Sequence, residues 1–439
     1  MITPREAAFL TIQKAFRDDK YLNIEVSNSI NKYEFDEKDK AFYSALVYGT
    51  YERLITIDNI ISHYSKTKLE ELDQNVLAAL RVGICQTHFM DRIPDHAAVS
   101  ETVNLCKRFN AKKNSEHFVN AVLRSAVKEK DNWHLPDKKD LSKYLSIKYS
   151  VNEWICSEWI DTYGQEMAEK LLSASFAHPK MTICTNTLRI SRDELIQKLS
   201  DDGIKCVKSE IVPNGVLLSD NVPYEKLSEY DELMFVQDEA SQLCCAALGA
   251  MKGETIMDAC SCPGGKSFGS ALSMENEGRI DSCDLHINKL SLVDTGAKKL
   301  GINIIYTKAK NSTAPFVGMY DRVLCDVPCS GLGVLSKKPE IRYKKKEDIE
   351  KLPKVQSAIL SNCSLHVKDG GVLVYSTCTL RREENQDIVE AFLSENKDFS
   401  LCGFECEGKE YDGMSELHPI NSTTDGFFIA KMIKKGKKE

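Results

Sequence analysis

From Thr3 onward, apolar residues recur with a helical period: Phe9, Ile12 and Phe16 fall on one face. Thr3-Pro4-Arg5-Glu6 is a start signal for that helix. Thr3 can cap, Pro4 suits the first helical position and Glu6 completes a capping box. The same period returns in Phe42, Leu46 and Tyr48 and runs on to Leu54, Ile57 and Ile61, then again in Val76, Leu77, Leu80 and Ile84. Pro94-Asp95 opens another helix, and Phe118, Val122 and Val127 mark a last one. Residues 1–130 thus predict an all-helical domain. The polar stretch from Lys130 to Lys139, with Pro136, predicts a linker.

Residues 150–175 predict helix, with Trp154 and Trp159 as packing residues. From Lys180 the period changes. Thr182 to Asn186 alternates like a strand, Arg192 to Leu199 reads as a short helix, and Val216-Leu217-Leu218 and Leu233 to Val236 read as short strands. This is a small α+β module. From Gly253 the pattern becomes strand, glycine loop, helix, repeated. Strands are expected at Thr255–Ala259, Arg279–Asp284, Ile302–Tyr306, Arg322–Cys325, Val372–Ser376 and Gly426–Met432, with helices at His286–Leu300 and Glu383–Leu393. Such alternation predicts an α/β fold with a doubly wound parallel sheet.

Composition narrows the class. With 42% hydrophobic and 28% charged residues, each domain has material for its own core. No run of 18 apolar residues occurs, and the N-terminus lacks the apolar core of a signal peptide. Sixteen cysteines without a secretion signal suit free thiols in a reducing, cytoplasmic setting. The net charge of −7 does not suit bulk nucleic-acid binding, but binding needs only a local basic face. Residues 1–130 carry 19 Lys+Arg and 18 Asp+Glu, so the remainder carries −8. Lys337 to Lys346 breaks that trend, with six basic residues against one acid.

In a doubly wound sheet, ligands bind at the carboxyl ends of the strands, where strand order reverses. The first strand runs into Cys260-Ser261-Cys262-Pro263-Gly264-Gly265-Lys266. Gly264 and Gly265 let a ligand approach the backbone, and the next helix offers its N–H groups. Asp284 ends the second strand, 20 residues after Gly264, where an acid takes the hydroxyls of an adenosine ribose. ATP would want G-x-x-x-x-G-K-[ST]; Gly265-Lys266-Ser267 fits, but Cys260 replaces the first glycine. The G-x-G-x-x-G of NAD sites is absent. S-adenosylmethionine asks only for a close backbone turn and the acid.

Two further loops end strands of the same sheet: Asp326-Val327-Pro328-Cys329-Ser330-Gly331 and Ser376-Thr377-Cys378-Thr379. A single cysteine is usually a small buried hydrophobe. Two at the active edge, one of them three residues after an acid, suggest more. No C-x-x-C, H-x-H or H-E-x-x-H spacing occurs, so no metal site is expected. Methylation at carbon 5 of a pyrimidine needs a thiolate and a methyl donor together. Thiolate addition to carbon 6 breaks the aromaticity and makes carbon 5 nucleophilic. Such a thiol needs a lowered pKa. A carboxyl group on ring nitrogen 3 and the exocyclic amine stabilises the developing charge. A second thiol suits the elimination step.

At Asp258 to Lys266, Asp326 to Gly333 and Tyr375 to Thr379, the chain resembles the Nop/Sun family of RNA cytosine carbon-5 methyltransferases. Gln237-Asp238-Glu239-Ala240-Ser241 is similar to the segment before that family's catalytic domain. Pro94 to Val99 and Phe118 to Arg124 resemble the NusB-like domain of the branch that modifies small-subunit ribosomal RNA. The resemblance implies three domains. These are a NusB-like helical RNA-binding domain over 1–130, linker helices with a small α+β, RRM-like module over 140–235, and a Rossmann-like class I methyltransferase domain over 236–439. It implies Cys378 as nucleophile, Cys329 as the thiol assisting product release, and Asp326 as the carboxyl that holds the cytosine. It implies S-adenosylmethionine bound by Cys260, Ser261, Cys262, Pro263, Gly264, Gly265, Lys266, Asp284 and Asp326. Where the family has an acid after the third strand, this chain aligns Asn311, which brings no charge to the adenine.

The implied partner is 16S ribosomal RNA, naked or partly assembled, with no membrane and no obligate protein partner. The basic run 337–346 is expected to touch RNA phosphates, and Lys107, Arg108, Lys112 and Lys113 to add contacts. The target base must be unstacked to reach a thiol, which favours a single-stranded loop. Three rivals remain. They are a non-catalytic RNA-binding assembly or antitermination-like factor, a nucleoside triphosphatase disfavoured by Cys260, and a DNA methyltransferase.

Overall fold

The computed structural model describes residues 2–18, 22–109, 114–177, 180–219, 222–420 and 424–436. The chain forms two compact units, one of residues 1–176 with 338–345, the other of 177–337 with 346–439.

The first unit is helical. Its opening helix, Pro4–Asp18, starts with the expected reciprocal bonds. The Thr3 N–H donates to Glu6 (2.9 Å) and the Glu6 N–H donates to Thr3 Oγ1 (3.3 Å). Phe9 and Ile12 join Leu46, Ile57, Ile61, Leu80, Ile84 and Val122 in one core; the side chain of Phe16 lies outside the described residues. The pattern from Phe42 to Ile61 is not one helix. It breaks at Arg53 into Glu37–Glu52 and Leu54–Tyr64. Arg53 leaves helical geometry (φ −117°, ψ 22°), and its guanidinium lies over the rings of Phe89 and Phe176, 4.6 and 4.0 Å from their centroids. The helix Leu22–Tyr33 has no clear sequence signal, because three Asn and two Ser interrupt its apolar face and Ile24 is exposed. Six more helices follow Leu54–Tyr64: Gln74–Phe89, Asp95–Arg108, Ser115–Lys128, Leu141–Tyr149, Glu153–Tyr163 and Gln165–Ala174. Trp159 is buried, and Trp154 donates from Nε1 to the Lys344 carbonyl at 2.8 Å.

The basic run 337–346, expected to face RNA phosphates along its length, is only partly exposed. Residues 338–345 pack into the helical unit, with Arg342 fully buried. Its guanidinium donates to the carbonyls of Tyr149 (3.1 Å) and Ser175 (2.6 Å) and lies 4.4 Å over the Phe176 ring. The Tyr343 hydroxyl donates to the Tyr51 carbonyl (2.6 Å) and accepts from the Leu54 N–H (3.1 Å). Lys337 is paired with Asp238 and Asp425, each at 2.7 Å. Only Lys338, Lys345 and Lys346 of the run are exposed without a described ion pair. A count of charges overlooks Ile341 and Tyr343, the apolar anchors that draw the segment inward. Of the other basic residues expected to face RNA, Arg108 pairs with Glu6, while Lys107 lines a groove with Arg124 and Lys128. Lys112 and Lys113 lie outside the described residues.

The second unit opens with a four-stranded antiparallel sheet: β1 (Thr182–Thr185), β2 (Cys206–Lys208), β3 (Gly215–Leu218) and β4 (Met234–Val236), in the order β2-β3-β1-β4. The helix Arg192–Asp201 covers it, starting with a capping box at Ser191 and Glu194. The second sheet contains β5 (Thr255–Asp258), β6 (Arg279–Asp284), β7 (Ile305–Ala309), β8 (Tyr320–Asp326), β9 (Val367–Thr377) and β10 (Phe399–Leu401). A hairpin, β11 (Phe404–Cys406) and β12 (Lys409–Tyr411), stands apart. The chain then supplies β13 (Met414–Leu417) and β14 (Phe427–Lys434) to the large sheet. Its order is β10-β14-β9-β8-β5-β6-β7, with β13 also on β14.

Strands β5 to β9 are parallel, as the sequence predicts, but the sheet is mixed. β14 runs antiparallel to β9, and β10 and β13 run antiparallel to β14. The short connection from β13 to β14 requires those two strands to pair antiparallel. Ile256, Leu324, Val374 and Ile429 point into one hydrophobic layer, and their neighbours Met257, Val323, Leu373 and Phe428 into the other. Burial on both faces is why these strands read as continuous apolar runs. β7 starts three residues later than expected, since Ile302 and Ile304 are buried in the turn before this edge strand.

Arg342→Met should lower the midpoint of urea unfolding, at a cost of about 2–3 kcal/mol for two carbonyls losing a charged donor. RNA affinity of the folded protein should not change. Lost affinity with unchanged unfolding would return Arg342 to an RNA surface.

Candidate active site

The carboxyl end of β5 turns through residues 260–264 into the helix Gly265–Ser273. Gly264 has φ 115°, and a Cβ there would stand 2.5 Å from the Phe268 ring. A Cβ on Gly265 would stand 3.2 Å from the Gln237 amide nitrogen. The turn is held by the Ser261 N–H on the Cys283 carbonyl (2.8 Å) and the Gly264 N–H on the Ser261 carbonyl (2.7 Å). Buried polar atoms without a protein partner cluster here: Ser261 Oγ, Asp258 Oδ1 and both amide atoms of Gln237. Buried polar groups need partners, so this cradle suits a polar ligand that supplies them. That fits the methionine part of S-adenosylmethionine.

Asp284 ends β6, and its Oδ1 accepts from the His286 N–H at 2.9 Å. Burial, and then Asp284, push the neighbouring Cys262 thiol up to about 12. Asn311 follows β7 by two residues and is exposed. Its Oδ1 is already engaged by the Thr313 N–H (3.0 Å) and hydroxyl (2.8 Å). Burial lifts the Cys260 thiol far above its ordinary range, with Cys363 adding to it.

Asp258 lies fully buried beneath the turn. Its carboxyl accepts from Ser267 Oγ at 2.7 Å, and desolvation raises its pKa to about 7.

Lys266, in the first turn of the helix, points away from the loop. Its Nζ donates to Asp326 Oδ2 at 2.8 Å. Burial alone would lower its pKa, but the Asp326 carboxylate outweighs that and keeps the ammonium charged. The other oxygen, Asp326 Oδ1, accepts from Ser376 Oγ at 2.8 Å. Asp326 and Ser376 are register partners on β8 and β9. Their contact and the lysine tie the glycine turn to the thiol loops.

The Cys329 and Cys378 sulfurs lie 3.1 Å apart, and both side chains are half-buried. The hydrogen bond to Cys378 and then burial hold the Cys329 thiol well above its ordinary range, and the charges of Cys378 and Glu384 add to this. The Gly333 N–H donates to the Cys378 carbonyl (3.0 Å), and the Gly426 N–H donates to the Gly333 carbonyl (2.9 Å). A Cβ on Gly333 would stand 1.9 Å from the Gly426 oxygen, so no side chain fits. The structure thus gathers Cys260 to Gly265, Asp284 and Asn311 near the ends of β5, β6 and β7, and Asp326, Cys329 and Cys378 past the ends of β8 and β9. Sequence reasoning missed Ser376, Gln356, Glu384 and Asn385, which carry no recognisable spacing. Only strand register could have suggested Ser376.

Because the folded pKa of Asp258 lies above its ordinary 3.8, its contribution to stability is full below about 4 and is lost as pH rises through about 7. Asp258→Asn should remove that fall. Melting without methyl donor should show the variant gaining on the wild type between pH 4 and 7. The wild type gaining instead would show that burial does not control this group. Gly333→Ala should cut turnover by about two orders of magnitude, the usual effect of a 1 Å misplacement. Wild-type turnover in that variant would mean that the tight packing at Gly333 does not set the site.

Residues 245–433 match the 16S rRNA methyltransferase RsmB/F family, 2–128 the NusB family, and 151–225 the ferredoxin-like domain of RsmF/B-like methyltransferases. The probable ribosomal RNA small subunit methyltransferase B of Bacillus subtilis (strain 168) is 34% identical over 98% of this chain and 99% of its own. The protein of the same name from Synechocystis sp. is 30% identical over 99% of this chain and 100% of its own. The crystal structure of PH0851 shares the fold over 99% of both chains, with a TM-score of 0.81 at 24% identity. With an all-α NusB-like domain, a ferredoxin-like module and a Rossmann-like sheet in one chain, and relatives alike from end to end, this chain belongs to the RsmB/F methyltransferase family.

Proposed function

We propose that this protein methylates carbon 5 of one cytosine in 16S ribosomal RNA, using S-adenosylmethionine and a covalent bond between Cys378 and the base. The observation that carries this is the pair of sulfurs 3.1 Å apart, beside a carboxylate that Lys266 ties to the glycine turn. S-adenosylmethionine supplies an electrophilic methyl group when bound. Gly264, Gly265, Ser261 and Asp284 would hold it.

Cys378, as thiolate, forms a bond to carbon 6 of the cytosine. The electron pair of the 5,6 double bond moves to carbon 5, which takes the methyl group. Asp326, oriented by Lys266 and Ser376, accepts from the exocyclic amine of the base and so holds the ring in place for attack. The carbon 5 proton then passes to water, its electrons restore the 5,6 double bond, and the carbon 6 to sulfur pair returns to Cys378 as that bond breaks. Cys329, in contact with the departing sulfur, supplies it with a proton.

The RNA partner is supported by the relatives' names and by the NusB match. The groove carrying Lys107, Arg124 and Lys128 offers phosphate contacts in the helical unit. No described helix is long and apolar enough to cross a membrane.

Cys378→Ala should abolish both methyl transfer and covalent capture of RNA. Cys329→Ala should permit attack but slow release, so that protein–RNA adducts build up on a denaturing gel. The reverse pattern would exchange the roles of the two cysteines. Bisulfite mapping of 16S RNA from cells with and without the gene should lose a single modified cytosine. An unchanged map would leave the non-catalytic RNA-binding reading in its place.

A further inference from the structure

Glu384 lies just beyond the loop of Cys378 and is completely buried. Its Oε2 accepts from the Ser330 N–H (2.9 Å) and from Gln356 Nε2 (2.8 Å). Gln356 also donates to the Pro328 carbonyl at 2.9 Å. Both residues flanking Cys329 are thereby held. The next residue, Asn385, holds both residues flanking Cys378. It accepts from Thr377 Oγ1 (2.6 Å) and donates to the Thr379 carbonyl (2.9 Å). The Tyr375 hydroxyl secures the backbone of Glu384 itself, at 2.5 Å. Arg381, also buried, approaches the other carboxylate oxygen at 3.3 Å.

The carboxylate is thus turned toward the Cys329 loop, with its counter-ion on the far oxygen. A buried negative charge beside a thiol disfavours the thiolate. The groups that act on Cys329 are Cys378 from the loop after β9, Tyr375 on β9, and Glu384 with its partner Arg381 from the next segment. We infer that Glu384 is a positioning residue for the thiol pair: it fixes the Cys329 loop against the Cys378 loop, and its charge makes the two sulfurs unequal, so that attack on the base falls to Cys378. This rests on the thiol-addition reading above and adds the device that separates the two roles.

Iodoacetamide alkylation of the full-length protein, followed peptide by peptide across pH, tests it. Alkylation needs neither RNA nor methyl donor, so its result stands apart from whether cytosine is the substrate. In the wild type at neutral pH, Cys378 should react faster than Cys329 by about tenfold or more, one pK unit of difference. Glu384→Gln removes the charge at nearly constant shape. It should narrow that ratio and bring Cys329 alkylation to lower pH. Glu384→Asp keeps the charge but shortens the reach. It should preserve the ratio and lower kcat while KM for the methyl donor stays unchanged. Equal or inverted reactivity in the wild type would overturn the inference, as would a ratio that Glu384→Gln leaves untouched. The wild-type ratio carries the test should either variant fail to fold.

Discussion

Register between β8 and β9 is the constraint on which the site depends. Asp326 pairs with Ser376 across these parallel strands. Cys329 comes three residues after one partner and Cys378 two after the other. Both strands end on the same edge, so two sulfurs 49 residues apart in sequence meet at 3.1 Å. A one-residue slip would turn one of them to the opposite face of the sheet. The register is secured by strands buried on both faces, each alternating strictly between two hydrophobic layers.

Around that contact, charge is arranged sparingly. The ammonium of Lys266 joins the glycine turn to the thiol loops through Asp326, and Asp326 is oriented a second time by Ser376. The glycine turn keeps unpartnered polar atoms for a ligand, while Gly333 and Gly426 remove side chains where two backbones cross. Burial then does much of the chemical sorting. It encloses thiols such as Cys244, Cys283, Cys325 and Cys363, and leaves the Cys329 and Cys378 pair half-buried.

Much of this was legible in the sequence, for physical reasons that differ by feature. The capping box at Thr3 and Glu6 and the helical period of the first core are local signals, and they appear where expected. The glycine turn and the two cysteine loops read as chemistry because each follows an apolar strand. What escaped is what depends on distant chain. The buried role of Arg342 rests on carbonyls at Tyr149 and Ser175, 193 and 167 residues away in sequence, so a charge count placed it on the surface. The antiparallel direction of β14 against β9 is set by long-range strand pairing, which periodicity alone does not report. Glu384 looks like one acid among several in Arg381 to Asn385; only the fold shows it bonded to the loop of Cys329.

The most direct test of the central claim is to trap the reaction on RNA. A 16S fragment bearing 5-fluorocytosine, incubated with protein and S-adenosylmethionine, cannot lose its carbon 5 substituent as a proton, so the sulfur to carbon 6 bond should persist. Mass spectrometry of the digested adduct should find the methylated fluoronucleotide on the peptide containing Cys378. Finding it on the Cys329 peptide, or finding no covalent adduct while normal RNA is still methylated, would contradict the account.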